Sequence, residues 1–153
     1  MLGRRVKRTR SGQFQLRLPP DERDLLRAVA ADLRELLGTD DPSLRRLSPP
    51  AYKDDPALEA EYRRYMADDL MASHLQALDV MQETADAEQV EEEQLNGWLR
   101  ALNELRLVLG TRLDVSEEED AAAIDPSDPR APAFLLYAYL SALQSDVIDA
   151  LSS

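Results

Sequence analysis

Histidine is the side chain best suited to acid–base work near neutral pH, and this sequence has one, His74. It falls one turn beyond Leu70 in a long stretch of helical spacing, where an imidazole at the margin of a core is the ordinary arrangement. Asp68 and Asp69 precede it. The Glu-x-x-His pairs with which helical bundles hold two irons need an i, i+3 spacing and more than one histidine, so these residues do not make such a centre. Glu91, Glu92 and Glu93 fall where a helix begins, and there acids complement the positive end of the dipole. The chain has no cysteine, which removes thiolate nucleophiles, disulfides, thiolate metal sites and thiol redox switches. Its five glycines are scattered singly, with neither a G-x-x-x-x-G-K-S/T loop nor a G-x-G-x-x-G turn. No catalytic centre, cofactor or metal site is expected, and an unrecognised metal enzyme ranks below binding functions.

Charge supplies the stronger signal. Residues 1–18 contain Arg4, Arg5, Lys7, Arg8, Arg10 and Arg17 and no acid, leaving twelve cations against all thirty acids in the remainder. A +6 arm is thus attached to a −18 body. Six like charges repel, so they call for counter-charge from the acidic body, a nucleic acid or an acidic protein. The body's own charge opposes a duplex, and no compact helix-turn-helix pattern is present. Arg45, Arg46, Arg63 and Arg64 flank Pro49-Pro50, with Glu59 and Glu61 near enough to offset part of that cluster. Arg106 and Arg112 sit late in a helical run where cations suit the dipole, with Asp68 or Asp69 as alternative partners across a bundle.

The elements that must carry these residues follow from periodicity. Residues 4–18 form a hairpin in which Val6 lies in the first arm, Ser11-Gly12 turn, and Phe14, Leu16 and Leu18 alternate with polar neighbours. Pro20, Asp21 and Glu22 open a helix carrying Leu26, Val29, Leu33 and Leu36 and stopping at Gly38. A brief helical turn holds Leu44 and Leu47. Asp55-Pro56 restarts the chain into the longest helix, from Leu58 to about Thr84, with Leu58, Tyr62, Met66, Leu70, Ala77 and Met81 on one drifting face. After an Ala85-Asp86-Ala87 joint, an acidic first turn leads into a helix with Leu95, Trp98, Leu99, Leu102, Leu105 and Leu109, ending near Gly110. Ser116 and Glu119 match a capping box, so residues 117–120 can open a short helix. Asp125 to Pro129 is a loop. Phe134 to Leu151 makes a last helix, buried on several sides.

The fold expected is therefore mainly α, a bundle of about four principal helices with a short N-terminal β-hairpin, in one domain spanning residues 1–153. The arm occupies residues 1–18 and the acidic body residues 20–153. Tyr62, Tyr65, Trp98, Phe134, Tyr137 and Tyr139 are expected to pack, as are Met66, Met71 and Met81. The apolar run 134–140 suits a core more than a homodimer interface. No apolar run approaches the roughly 20 residues of a membrane span, and a cytoplasmic location is expected.

Three segments, RLPPDERDLL at 17–26, DDPSLRRLSPPAYKDDP at 40–56 and WLRALNELRLVLGTRLDV at 98–115, together resemble an actinobacterial family called AosR-like and formerly catalogued as a domain of unknown function. YLSALQSDVIDAL at 139–151 extends the resemblance over nearly the whole chain. It implies an oxidative-stress transcriptional regulator that acts through an alternative sigma factor of RNA polymerase and senses oxidant through N-terminal cysteines. The family's genes tend to lie beside the adaptor of the Clp protease, which implies a proteolysis-linked role as a further reading. This chain departs at the sensor: residues 4–13 read RRVKRTRSGQ, so direct thiol sensing is not carried over. The function expected is a non-enzymatic regulator that binds a protein partner of the transcription machinery through Arg4, Arg5, Lys7, Arg8, Arg10 and Arg17. The alternative is a nucleic-acid-binding protein using the same arm, and the third a Clp-linked adaptor.

Overall fold

The computed structural model describes residues 4–47, 51–113 and 125–153. The hairpin forms because alternation puts Val6, Phe14 and Leu16 on one face, all three buried, and because Gly12 takes φ +84°, a conformation that costs glycine little. Strand β1 (Val6–Arg8) runs antiparallel to β2 (Phe14–Leu16), with Val6 opposite Leu16, Lys7 opposite Gln15 and Arg8 opposite Phe14. Thr9 N–H donates to Gln13 O at 2.8 Å and closes the turn.

Helix α1 (Pro20–Leu37) starts at its proline with Asp21 and Glu22 in the first turn, stops at Gly38, and buries Leu26, Ala30, Leu33 and Leu37. A 3-10 helix (Pro42–Leu47) accounts for the brief turn, its entry fixed by Asp41, which accepts from both the backbone N–H and the hydroxyl of Ser43. Helix α2 (Pro56–Glu83) is capped by Asp55, whose Oδ1 accepts the Leu58 N–H at 3.1 Å.

The expected single apolar face of α2 is corrected by its length. At 1.5 Å per residue its 28 residues reach about 42 Å, farther than its neighbours α1 and α3 extend. Burial is confined to His74, Ala77, Leu78 and Met81, while Leu58 is 44% exposed and Tyr65 is 84% exposed.

Between α2 and the next helix the chain does more than turn. Gln89 and Val90 form β3, which pairs antiparallel with β2 and makes a three-stranded sheet in the order β1-β2-β3. The acidic run taken as a helix start is thus divided, with Glu88 and Glu91 flanking the strand and α3 (Glu92–Leu113) beginning after it. The expected end near Gly110 is also corrected. Gly110 is buried within α3, and a Cβ there would come 3.2 Å from Tyr137 Cε2, so the glycine makes room for a neighbouring helix and does not end its own.

Helix α4 (Ala131–Ser152) buries Phe134, Leu140, Leu143, Val147 and Ala150. It is less enclosed than its sequence suggests, with Leu135 67% and Ile148 45% exposed. The helix enclosed from several directions is α3, which packs on α4, α2, α1 and the 3-10 helix and contributes Leu95, Trp98, Ala101, Leu102, Leu105 and Val108 to the core. Asp125 to Pro129 form the expected loop, with Asp125 accepting the Ser127 N–H at 2.9 Å. The capping box at Ser116 and Glu119 and the short helix at 117–120 lie outside the described residues. No helix of the described residues is long and apolar enough to cross a membrane.

Candidate functional site: the basic hairpin and the body it meets

Contacts with the body divide the arm's cations. Arg5 is committed to the body: its Nε–H donates to Glu22 Oε1 at 2.7 Å, its backbone N–H donates to Asp146, and its guanidinium lies 5.2 Å from the Tyr139 ring centre. The Glu22 hydrogen bond holds the Arg5 guanidinium above its ordinary pKa. Tyr139 donates to the same Glu22 oxygen at 2.7 Å, and burial, reinforced by that bond, pushes its phenol well up. Arg8 also turns to the body, 4.7 Å from the Phe14 ring centre and donating to Leu151 O at 3.3 Å, with Glu92 at 4.0 Å.

The other four face outward. Arg4 is exposed and meets Asp149 at a loose 3.9 Å. Lys7, Arg10 and Arg17 are exposed and form no ion pair among the described residues, and Arg17 donates to the neutral Gln15 at 3.2 Å. Because Val6, Phe14 and Leu16 are buried in the core cluster, these cations project from an anchored sheet and not from a loose tail.

Arg23, which its sequence position does not mark, fastens the sheet to the helices. It donates to four backbone carbonyls: Leu18, Ala85 and Ala87 at 2.8 Å and Leu16 at 3.0 Å. Those acceptors lie at the end of the hairpin and in the joint that leads into β3, so one guanidinium ties together the hairpin, α1 and the joint after α2.

The second basic cluster stays dispersed. Arg45, Arg46, Arg63 and Arg64 are exposed; Glu59 pairs with Arg63 at 2.6 Å and accepts the Ala51 and Tyr52 N–H groups. Those bonds, the Tyr52 one foremost, hold the Glu59 carboxyl below the usual range. Glu61 forms no ion pair among the described residues. Neither late cation of α3 meets Asp68 or Asp69. Arg106 donates to Ser141 at 2.8 Å and Gln144 at 2.5 Å, and Arg112 meets Asp41 at 3.6 Å and Ser43 at 3.3 Å.

His74 is more buried than its sequence position suggests. Its Nδ1 lies 2.6 Å from Oε1 of Glu104, a carboxylate in α3 with 6% of its side chain exposed, which Arg100 also contacts at 3.3 Å. Among the described residues no group of three or more His, Asp or Glu side chains is placed to hold a metal ion.

A family model described as a domain of unknown function, DUF2017, matches residues 3–151. The chain belongs to the DUF2017 family. Proteins named "Oxidative stress regulator AosR" in Mycobacterium bovis and Mycobacterium tuberculosis are each 28% identical to it over 95% of this chain and 86% of their own length. The resemblance drawn from the four sequence segments therefore holds along the DUF2017 chain. No solved structure matches it.

Proposed function

We propose that this DUF2017 chain is a non-enzymatic, cytoplasmic regulator of the oxidative stress response that binds a protein partner of the transcription machinery, such as a sigma factor or RNA polymerase. The contact is the outer side of the hairpin, where Arg4, Lys7, Arg10 and Arg17 meet acidic groups, while Arg5 and Arg8 hold the hairpin to the body. Supporting a regulatory role are the names of the mycobacterial relatives. The observation that carries the choice of surface is the division of the cations: three exposed ones have no counter-ion among the described residues, on a hairpin whose other face is built into the core. Preorganised exposed charge steers a partner and sets the register of docking. The −18 body favours a protein over a duplex, since it repels a continuous phosphate array while a local acidic patch meets only the hairpin.

The test is affinity capture from the native host with tagged wild type and a Lys7→Gln, Arg10→Gln, Arg17→Gln variant, with nuclease controls. Recovery of a sigma factor or RNA polymerase by wild type and its loss in the variant is expected. Identical partners for both proteins would remove the hairpin as the contact. Binding that follows random duplex and collapses with salt would assign the surface to nucleic acid.

A further inference from the structure

A second site lies away from the hairpin, where the end of α1, the 3-10 helix and the middle of α2 leave a cleft of about 430 Å³. Its walls include Leu37, Leu44, Leu47, Leu70 and Met71, and His74 lines it too. The volume falls within the range of small-molecule pockets, roughly 300–1,000 Å³.

The imidazole is fixed from behind. A carboxylate can only accept, so Glu104 Oε1, 2.6 Å from Nδ1, sets the proton on that nitrogen and leaves Nε2 as the acceptor of the neutral ring. Among the described residues the His74 side chain bonds through Nδ1, and Nε2 has no protein partner. With 10% of its side chain exposed, His74 thus offers the leucine-lined cleft an accessible acceptor on a largely buried ring of fixed orientation. Nε2 is not among the buried unpartnered atoms, so solvent reaches it, and a donor entering the cleft takes the place of water there while the ring it carries buries apolar surface.

We propose that this cleft binds a small aromatic molecule carrying a phenol-type hydroxyl, with that hydroxyl donating to His74 Nε2. The apolar walls and the Met71 thioether favour a ring over a sugar or a peptide. One oriented acceptor calls for one donor. An anionic ligand fits less well, because Arg63 on the wall is paired with Glu59 and Asp40 lines the same cleft. A metal ion would need additional donors, and the described residues assemble no such group. The site shares no residue with the hairpin contact, so either can fail without the other.

The probe is 1-naphthol, compared with naphthalene and with 1-methoxynaphthalene, which keeps the ring system and cannot donate. Titration calorimetry on the full chain should show saturable 1:1 binding of 1-naphthol, about tenfold tighter than either comparison compound, the size expected of one net hydrogen bond. His74→Phe should abolish that preference. Leu44→Trp, which fills the cleft from the 3-10 helix without touching the His74–Glu104 pair, should abolish binding while circular dichroism stays that of wild type. Equal affinity for the three compounds, no saturation up to the solubility limit, or binding unchanged in a folded Leu44→Trp protein would each overturn the proposal. The Lys7→Gln, Arg10→Gln, Arg17→Gln variant should bind 1-naphthol as wild type does.

Discussion

Tyr139 and Glu22, 117 positions apart, are joined by a 2.7 Å hydrogen bond in which the phenol donates to Oε1. The same oxygen accepts the Arg5 Nε–H at 2.7 Å, so the residue leading into the first strand, the first helix and the last helix meet at one carboxylate. Closing the two ends of the chain in this way is a long-range constraint, and the group involved is ionic at one end and half-buried at the other. Tyr139→Phe removes one donor and leaves the ion pair. It should cost about 1–2 kcal/mol, read from urea unfolding.

That phenol also gives the protein an alkaline limit. Its folded pKa is raised above the ordinary value of 10.0, first by burial and then by the Glu22 bond. A group raised on folding gives its full stabilisation below its unfolded value and loses it as pH climbs toward the folded one. Between pH 7 and 9 the effect is constant; above about pH 10 wild type should lose stability with pH more steeply than Tyr139→Phe. Melting temperatures from pH 8 to 11 measure the difference, and parallel curves would remove Tyr139 as the cause.

Trp98 and Thr84 form a second buried link. The indole Nε1–H donates to Thr84 Oγ1 at 2.7 Å, and that hydroxyl donates onward to Val80 O at 2.6 Å. Thr84→Val keeps the shape and strands the indole N–H in a core where Trp98 is 0% exposed. A loss of about 1–3 kcal/mol is expected, with Thr84→Ser restoring most of it. Equal stability of the valine and serine variants would show that the hydroxyl contributes nothing.

How much of this was legible depends on whether the signal was local. Pro20, Asp21 and Glu22 announce α1 because capping and dipole effects act within one turn, and Phe14 with Leu16 announces β2 because alternation needs only a few residues. Strand β3 has two residues, too few to show a period, and its acidic surroundings fit a helix start equally well. Gly110 resembles a stop because only the position of Tyr137 reveals that the missing Cβ makes room for α4.

The same limit applied to the sites. The six arm cations were visible as composition, but their division into Arg5 and Arg8 against Arg4, Lys7, Arg10 and Arg17 arises from partners far away in sequence, Glu22 for Arg5 and Glu92 and Leu151 O for Arg8. Glu104 did leave a trace. It shares the helical face of Ala101, Leu105 and Val108, all buried, and a carboxylate on that stripe needs a partner such as His74.

The close approach of α2 and α3 rests on Gly97. A Cβ placed there would lie 2.8 Å from Val80 Cγ1, inside any tolerated contact. Gly97→Ala raises helix propensity, which alone would stabilise by up to about 1 kcal/mol, but the clash should dominate and leave a net loss of about 1–2 kcal/mol. Val80→Ala in the same chain should relieve the clash, so the double variant should be more stable than the sum of the single effects. Strict additivity in that cycle would mean the helices separate freely at this point.

The division of the arm makes a last prediction that separates holding from binding. Arg5→Gln with Arg8→Gln removes the Glu22 ion pair, the Arg8 bond to Leu151 O and two guanidinium–ring contacts, at side chains that are 24% and 32% exposed. Partial exposure weakens each ionic term, so the pair should together contribute about 1–3 kcal/mol and its loss should lower the melting temperature by several degrees. Lys7→Gln with Arg10→Gln removes exposed charges without ion-pair partners among the described residues and should leave stability within about 0.5 kcal/mol of wild type. The acidic body nevertheless attracts all six cations at long range. Raising the salt concentration screens that attraction over about 10 Å at 0.1 M and should narrow any residual stability difference between the second variant and wild type. If instead the two double variants melt together, well below wild type, the whole arm acts as a diffuse electrostatic strap, and Lys7 and Arg10 are held by the body's field as firmly as Arg5 is held by Glu22.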